Sequence, residues 1–204
     1  FIKLLLDIRT LVSSKHIWLI GLVGALIMLP TTVLAEMWGR LFVKTYYGYD
    51  AHVAAGITSM IFLGWAVGSP VTGFLSDRLK NRRWPLIIGA FVGAALMAFI
   101  IYGPALSQKQ LFFIMFLFGF VSSVEVICFA AARENSKDSV AGTAVALTNF
   151  IIVFAGFFQW YVGVLLDQSR AGKLDLFGNP LYEIADFQFA LTLLPLSMLL
   201  GGLL

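Results

Sequence analysis

The stretch Gly73-Phe74-Leu75-Ser76-Asp77-Arg78-Leu79-Lys80-Asn81-Arg82-Arg83 holds five charged side chains, whereas residues 53–76 before its charges and 84–108 after them hold none. A helix rising about 1.5 Å per residue crosses a hydrocarbon core of about 30 Å in roughly 20 apolar residues. The stretch is therefore a short connection between two membrane crossings. The pattern repeats outward. Residues 17–35, 139–166 and 187–204 carry no charge, and 110–132 carry only Glu125. Six spans are expected, at 17–39, 53–76, 84–104, 109–132, 139–166 and 187–204. The runs do not alternate apolar and polar as membrane β-strands do, so the expected fold is an all-α integral membrane protein.

Composition agrees. Of 204 residues 60% are apolar and 12% charged, against about 45–50% and about 25% in soluble domains. So few charges cannot cover a soluble surface, and so apolar a chain is not disordered. The single cysteine, Cys128, excludes an intrachain disulfide and a cysteine-based zinc site. His16 and His52 are too few for a histidine-rich metal centre. No metal, cofactor or catalytic residue is expected. A net charge of +3 does not suggest a nucleic-acid partner. The sixth run stops while still apolar and the chain opens on Phe1 instead of methionine, which predicts a fragment.

Six spans put both termini on one side. That side carries Lys3, Arg9, Lys15, Arg78, Lys80, Arg82, Arg83, Arg133 and Lys137; the other carries Arg40, Lys44, Lys109, Arg170 and Lys173. Nine cations against five predict cytoplasmic termini. Residues 1–16 repeat Phe1, Leu4, Leu5, Ile8, Leu11 and Val12 at helical spacing around Lys3, Asp7 and Arg9. They read as an amphipathic linker helix feeding the six-helix unit 17–204, or as a frayed end. The connection 167–186, with Asp167, Arg170, Lys173, Asp175, Gly178, Pro180 and Glu183, reads as turns on the opposite side.

The opening stretch resembles the loop motif of the major facilitator superfamily, loosely Gly-x-x-x-Asp-Arg-x-Gly-Arg-Arg-Arg. Gly73, Asp77, Arg78, Arg82 and Arg83 match by position; Lys80 stands where the family usually has glycine, and Asn81 where it often has a basic residue. Residues Gly142 to Phe150 and Gln159 to Asp167 resemble the penultimate helix of bacterial permeases in that superfamily. The resemblance implies twelve spans in two six-helix halves with a solute path between them, and it makes this chain the C-terminal half in a bacterial inner membrane. The partners implied are a small-molecule substrate, the lipid bilayer, and the missing N-terminal half or a second copy of the chain. It also implies that ion pairs between this loop and the loop around Arg133-Glu134-Asn135-Ser136-Lys137-Asp138 open and close with transport, with Glu134 meeting Arg82 or Arg78. Solvated interfacial charges are the competing reading. Independently of the family, Asp77 sits at the C-terminal end of its helix, the wrong end for its charge, and wants a cationic partner. Gly68 and Gly73 are expected where helices approach closely.

Ionisable and polar groups at membrane depth need a reason. Glu125 lies 15 residues past Gln110, about 22 Å along a helix, beside Ser122 and Ser123. It reads as a proton-coupling carboxyl or solute ligand, or as a structural carboxyl bonded to a neighbouring helix. Asn149 and Trp65 lie near the middle of their spans and read as cavity lining or packing. Thr32, after Pro30 and Thr31, reads as part of a gate hinge on the substrate or proton pathway, or as an ordinary membrane-helix kink, with threonines able to bond the carbonyl that proline frees. Glu36, near the outer end, reads as a further substrate or proton pathway residue, or as an interfacial carboxylate that snorkels or pairs with Arg40 four residues on. Gln159 and Trp160 read as interfacial. The third run lacks polar side chains and the sixth nearly so, which fits peripheral positions and leaves the other four around a cavity. The expected function is a permease working by alternating access, coupled to a proton or ion gradient or to exchange. The alternative is a six-helix scaffold or receptor without transport. A membrane enzyme is disfavoured, since no Ser/His pair, aspartate pair or His-Glu-x-x-His helix lies at depth, and no Gly-x-x-x-x-Gly-Lys-Ser/Thr loop occurs.

Overall fold

A computed structural model describes residues 2–170, 172–174, 178 and 180–204, without the side chains of residues 2–6. Of the expected amphipathic stripe, Phe1 and the side chains of Lys3, Leu4 and Leu5 lie outside the described residues, as does Asp175 of the long connection.

The described residues are helical apart from turns and a lone bridge between Leu174 and Pro180. Six helices are long and apolar enough to cross a membrane: Lys15–Met37, Ala51–Leu79, Arg83–Tyr102, Gln108–Glu134, Asp138–Ser169 and Ile184–Leu203. They are called here the first to sixth spans. Most outrun the charge-free runs, because backbone bonding continues past the hydrocarbon edge until a cap ends it. Asp50 Oδ1 accepts from the His52 and Val53 amides at 2.8 and 2.9 Å and starts the second span. Lys80, at φ 49°, ends it in the left-handed region. Asn81 Oδ1 accepts from the Arg83 and Trp84 amides and starts the third. The sixth span begins three residues before its apolar run. Asp186 thereby enters its first turn, where a carboxylate suits the helix dipole, and Ser169 Oγ donates to it at 2.6 Å.

The first span breaks its α geometry after Pro30. Proline has no amide hydrogen, so the Leu26 carbonyl one turn back loses its partner. That carbonyl is taken by Ser197 Oγ of the sixth span at 3.0 Å. Contrary to the sequence reading, the threonines do not take it: Thr32 Oγ1 donates to Leu29 O and Thr31 Oγ1 to Ser122 Oγ. A π turn follows over Val33–Met37, and a separate helix, Gly39–Tyr47, continues outside.

Lipid tails are as apolar as leucine, so helix association rests on close packing and interhelical hydrogen bonds. The second and fourth spans pack backbone to backbone. A side chain at Gly64 would strike the Phe116 carbonyl, and one at Gly119 the Ile61 carbonyl. Gly68 likewise faces Phe120 and Ser123, whereas Gly73 faces open space; close approach therefore does not explain Gly73. The buried core runs through Ile27, Leu34, Phe42, Ile57, Ile61, Met97, Phe118 and Phe187.

The helix Ile2–Val12 lies against the start of the fifth span. Leu11 is buried with Ile17, Ala132, Val140 and Ala144, and Asp7 pairs with Lys137 at 3.2 Å. Val12, expected on the apolar face, is exposed, and its carbonyl accepts from Trp18 Nε1 at 2.7 Å.

Candidate functional site

The first, second, fourth and fifth spans line an open cavity of about 620 Å³. Its wall includes Thr32 and Glu36 from the first span, Trp65 from the second, Glu125 from the fourth and Asn149 from the fifth. All five residues singled out at depth are thus brought together. The third and sixth spans contribute nothing to the wall, as their lack of polar side chains suggested. Gln159 and Trp160, read from the sequence as interfacial, also line the cavity. A signal for this was present: Asn149, Ile152, Val153, Gly156 and Trp160 recur every three or four residues and share one helical face.

Three of the four lining spans leave α geometry where they border the cavity. The π turn Val33–Met37 carries Glu36, a 3₁₀ turn over Ser123–Val126 carries Glu125, and another over Ala155–Phe157 precedes Gln159. Such turns re-aim side chains relative to a regular helix. Glu36 illustrates the effect. Its expected ion pair with Arg40 does not form, because the π turn and the bend at Trp38 break the register between them. Its partner is Gln159, whose Nε2 donates to Glu36 Oε2 at 3.0 Å. Trp38 Nε1 donates to Gln159 O at the same distance, so the first and fifth spans are clasped at this end.

Glu125 behaves differently. It is 2% exposed, and it makes no hydrogen bond or ion pair with any described residue. The flanking serines do not serve it. Ser122 Oγ donates to Gly119 O and accepts from Thr31, and Ser123 Oγ donates to Phe120 O. The indole Nε1 of Trp65 is likewise buried and unpartnered. Among the buried groups of the cavity wall, Glu125 is thus an unmatched acceptor and Trp65 Nε1 an unmatched donor.

At the other end of the bundle, charges are matched. Arg82 Nη1 donates to Asp77 Oδ1 at 2.5 Å and to Ser76 Oγ at 3.0 Å. Its Nη2 donates to Glu134 Oε1 at 2.5 Å, and Nε reaches both Glu134 oxygens at 3.2 Å. Asp77 thereby finds its cation within its own turn. The guanidinium is held still more firmly protonated than usual, first by Glu134 and then by Asp77. Arg78 and Arg83 are exposed and make no hydrogen bond or ion pair with a described residue through their side chains. Arg82, not Arg78, is thus the partner of Glu134. Asn81 serves as the cap that tightens the turn.

Six membrane-length helices, with polar groups gathered on an open cavity and an ion-paired loop at one end, define an α-helical integral membrane protein. The family model of the Major Facilitator Superfamily matches residues 2–159, and the chain belongs to that superfamily. It is similar to the membrane sensor protein UhpC of Salmonella typhimurium (strain LT2), 28% identical over 168 residues, which cover 79% of this chain and 35% of that protein. It is also similar to the membrane sensor protein UhpC of Escherichia coli (strain K12), 26% identical over 147 residues, covering 70% of this chain and 32% of that protein. The chain thus aligns with about a third of the length of these curated relatives. No solved structure matches it significantly.

Proposed function

We propose that this chain is the C-terminal six-helix half of a permease that moves a small solute by alternating access, driven by a proton or ion gradient or by exchange. The observation that carries this reading is Glu125, a buried carboxyl on a cavity wall with no partner among the described residues. A carboxyl in such a place needs a proton or a ligand to replace the hydration it has lost. Binding and release of that proton or ligand, alternately to the two sides, is the elementary act of a coupled carrier. In this reading the Arg82 clasp holds one face of the transporter closed and opens as the bundle rocks. The excess of cations supports reading that face, with both termini, as cytoplasmic, and the bacterial relatives support an inner membrane. The partner is the N-terminal half of the same transporter, or a second copy of this chain. It would cover the exposed aromatics Phe150, Phe154, Phe157 and Trp160 of the fifth span, of which Phe157 and Trp160 line the cavity. The remaining outer surface faces the bilayer, and no cofactor or nucleic acid enters the scheme.

A second reading is supported by the relatives, which are membrane sensor proteins: a sensor with the same fold that binds its solute without moving it. Proteoliposomes carrying the full-length protein separate the two. The permease reading expects counterflow of a labelled solute that binds. Binding without counterflow would establish the sensor and overturn the permease.

A further inference from the structure

The walls of the cavity indicate what kind of solute it takes. Among the described residues, no lysine, arginine or histidine lines it, while two glutamates do. Glu36 is already engaged by Gln159. Glu125 is not engaged, and it is the more deeply buried of the two. Around it stand Trp65 and Phe129, whose ring faces attract cations. An anionic solute would bring a second negative charge beside Glu125 with no cation on this wall to offset it. A neutral polyol would leave a deprotonated Glu125 uncompensated. An ammonium group supplies up to three donors and the opposite charge at once. The buried indole N–H of Trp65 adds a second requirement, an acceptor on the same solute. A volume of about 620 Å³ accommodates a small organic molecule.

We infer that the cavity accepts a small solute bearing a protonated amine, which Glu125 receives, together with a hydrogen-bond acceptor for Trp65 Nε1. This rests on the reading of the cavity as the solute site. Alternating occupancy of Glu125 by a proton and by the ammonium would then link the two in exchange.

The test is ligand-induced thermal stabilisation and titration of the purified full-length protein with three sets of probes. These are small amines with acceptors (ethanolamine, serine, lysine), amine-free carboxylates (lactate, glycerate) and neutral polyols (glycerol, erythritol). Stabilisation by an amine, and not by lactate or erythritol, is expected. Glu125→Gln should weaken that amine about tenfold or more, the scale of losing a charged hydrogen bond. Trp65→Phe, which keeps the ring and removes the donor, should weaken it about threefold. If Glu125→Gln does not fold, Glu125→Asp and Trp65→Phe carry the comparison, each expected to weaken binding partially. Amine binding untouched by these substitutions would overturn the assignment. Binding of carboxylates or polyols alone would overturn the amine class while leaving a solute site. No stabilisation by any of the three sets would overturn both.

Discussion

Glu125 and Glu134 stand nine residues apart on the same span, about 14 Å along it, and their surroundings are opposite. Glu134 lies at the helix end, half exposed, gripped through both oxygens by Arg82. Glu125 lies inside, almost wholly buried, with no described residue to grip it. Water would support the first without Arg82, yet Arg82 is there; the second has lost water and received no substitute. The contrast separates two uses of a carboxylate. Where the chain supplies the partner, the group fastens one element to another and can be released only by moving them apart. Where the chain withholds it, the group stays available to something that comes and goes.

The contrast breaks first at Glu125. Glu125→Gln should lower gradient-driven uptake in proteoliposomes by about a hundredfold, the scale of removing one proton-transferring group. The melting temperature should hardly move, since no internal bond is lost. Retained gradient-driven uptake would show that this carboxyl is not the coupling group. The converse test is a polar group whose partner the chain does supply. Ser197→Ala strips the Leu26 carbonyl of its donor beside Pro30. It should cost stability, by about 0.6–2 kcal/mol as for other hydrogen bonds within membranes, with transport per folded molecule preserved. A full loss of uptake with unchanged melting would place Ser197 among the functional residues instead.

These residues also mark how far the sequence could be read. The six helices were legible because charge is expensive in hydrocarbon, and each gap in charge is therefore a crossing. The grouping of Thr32, Glu36, Trp65, Glu125 and Asn149 was legible for the same reason: polar groups at depth have to face something other than lipid. Partners were harder. Arg40 was the expected partner of Glu36 on a regular helix, but a π turn over Val33–Met37 removed that register and Gln159 took the place. The donor for the Leu26 carbonyl comes from 171 residues away, and no local pattern announces it. Gly73 matched a family position without showing which contact it serves.

The clasp itself offers a smaller effect. Side-chain exposures of 25% for Arg82 and 52% for Glu134 mean that solvent screens the pair, so its worth is at most about 1 kcal/mol. Glu134→Arg should shift the balance of open and closed faces by a few-fold, read as altered uptake rate and reduced sensitivity to salt. The swap Arg82→Glu with Glu134→Arg should recover part of this. Recovery would be incomplete, because Arg82 also holds Asp77 and Ser76. No rescue at all would remove the pairing as a working latch.

The smallest effect belongs to a third kind of carboxylate. Asp50 is outside the membrane and exposed, and its partners are backbone amides at the start of the second span. The Val53 amide, ahead of that of His52, holds its carboxyl below the ordinary aspartate range. A carboxyl lowered in the folded state contributes stability that is complete above its unfolded pKa of about 3.9 and is lost as pH falls through the lower folded value. Asp50→Asn keeps an acceptor for the cap but cannot titrate. The melting temperature of the wild type relative to Asp50→Asn should therefore be constant near neutrality and fall only below about pH 4. A difference independent of pH would mean that the cap needs only the oxygen and not its charge. In that case Asp50 would join Ser197 as a plain acceptor-and-donor match, and its charge would add nothing to the start of the second span.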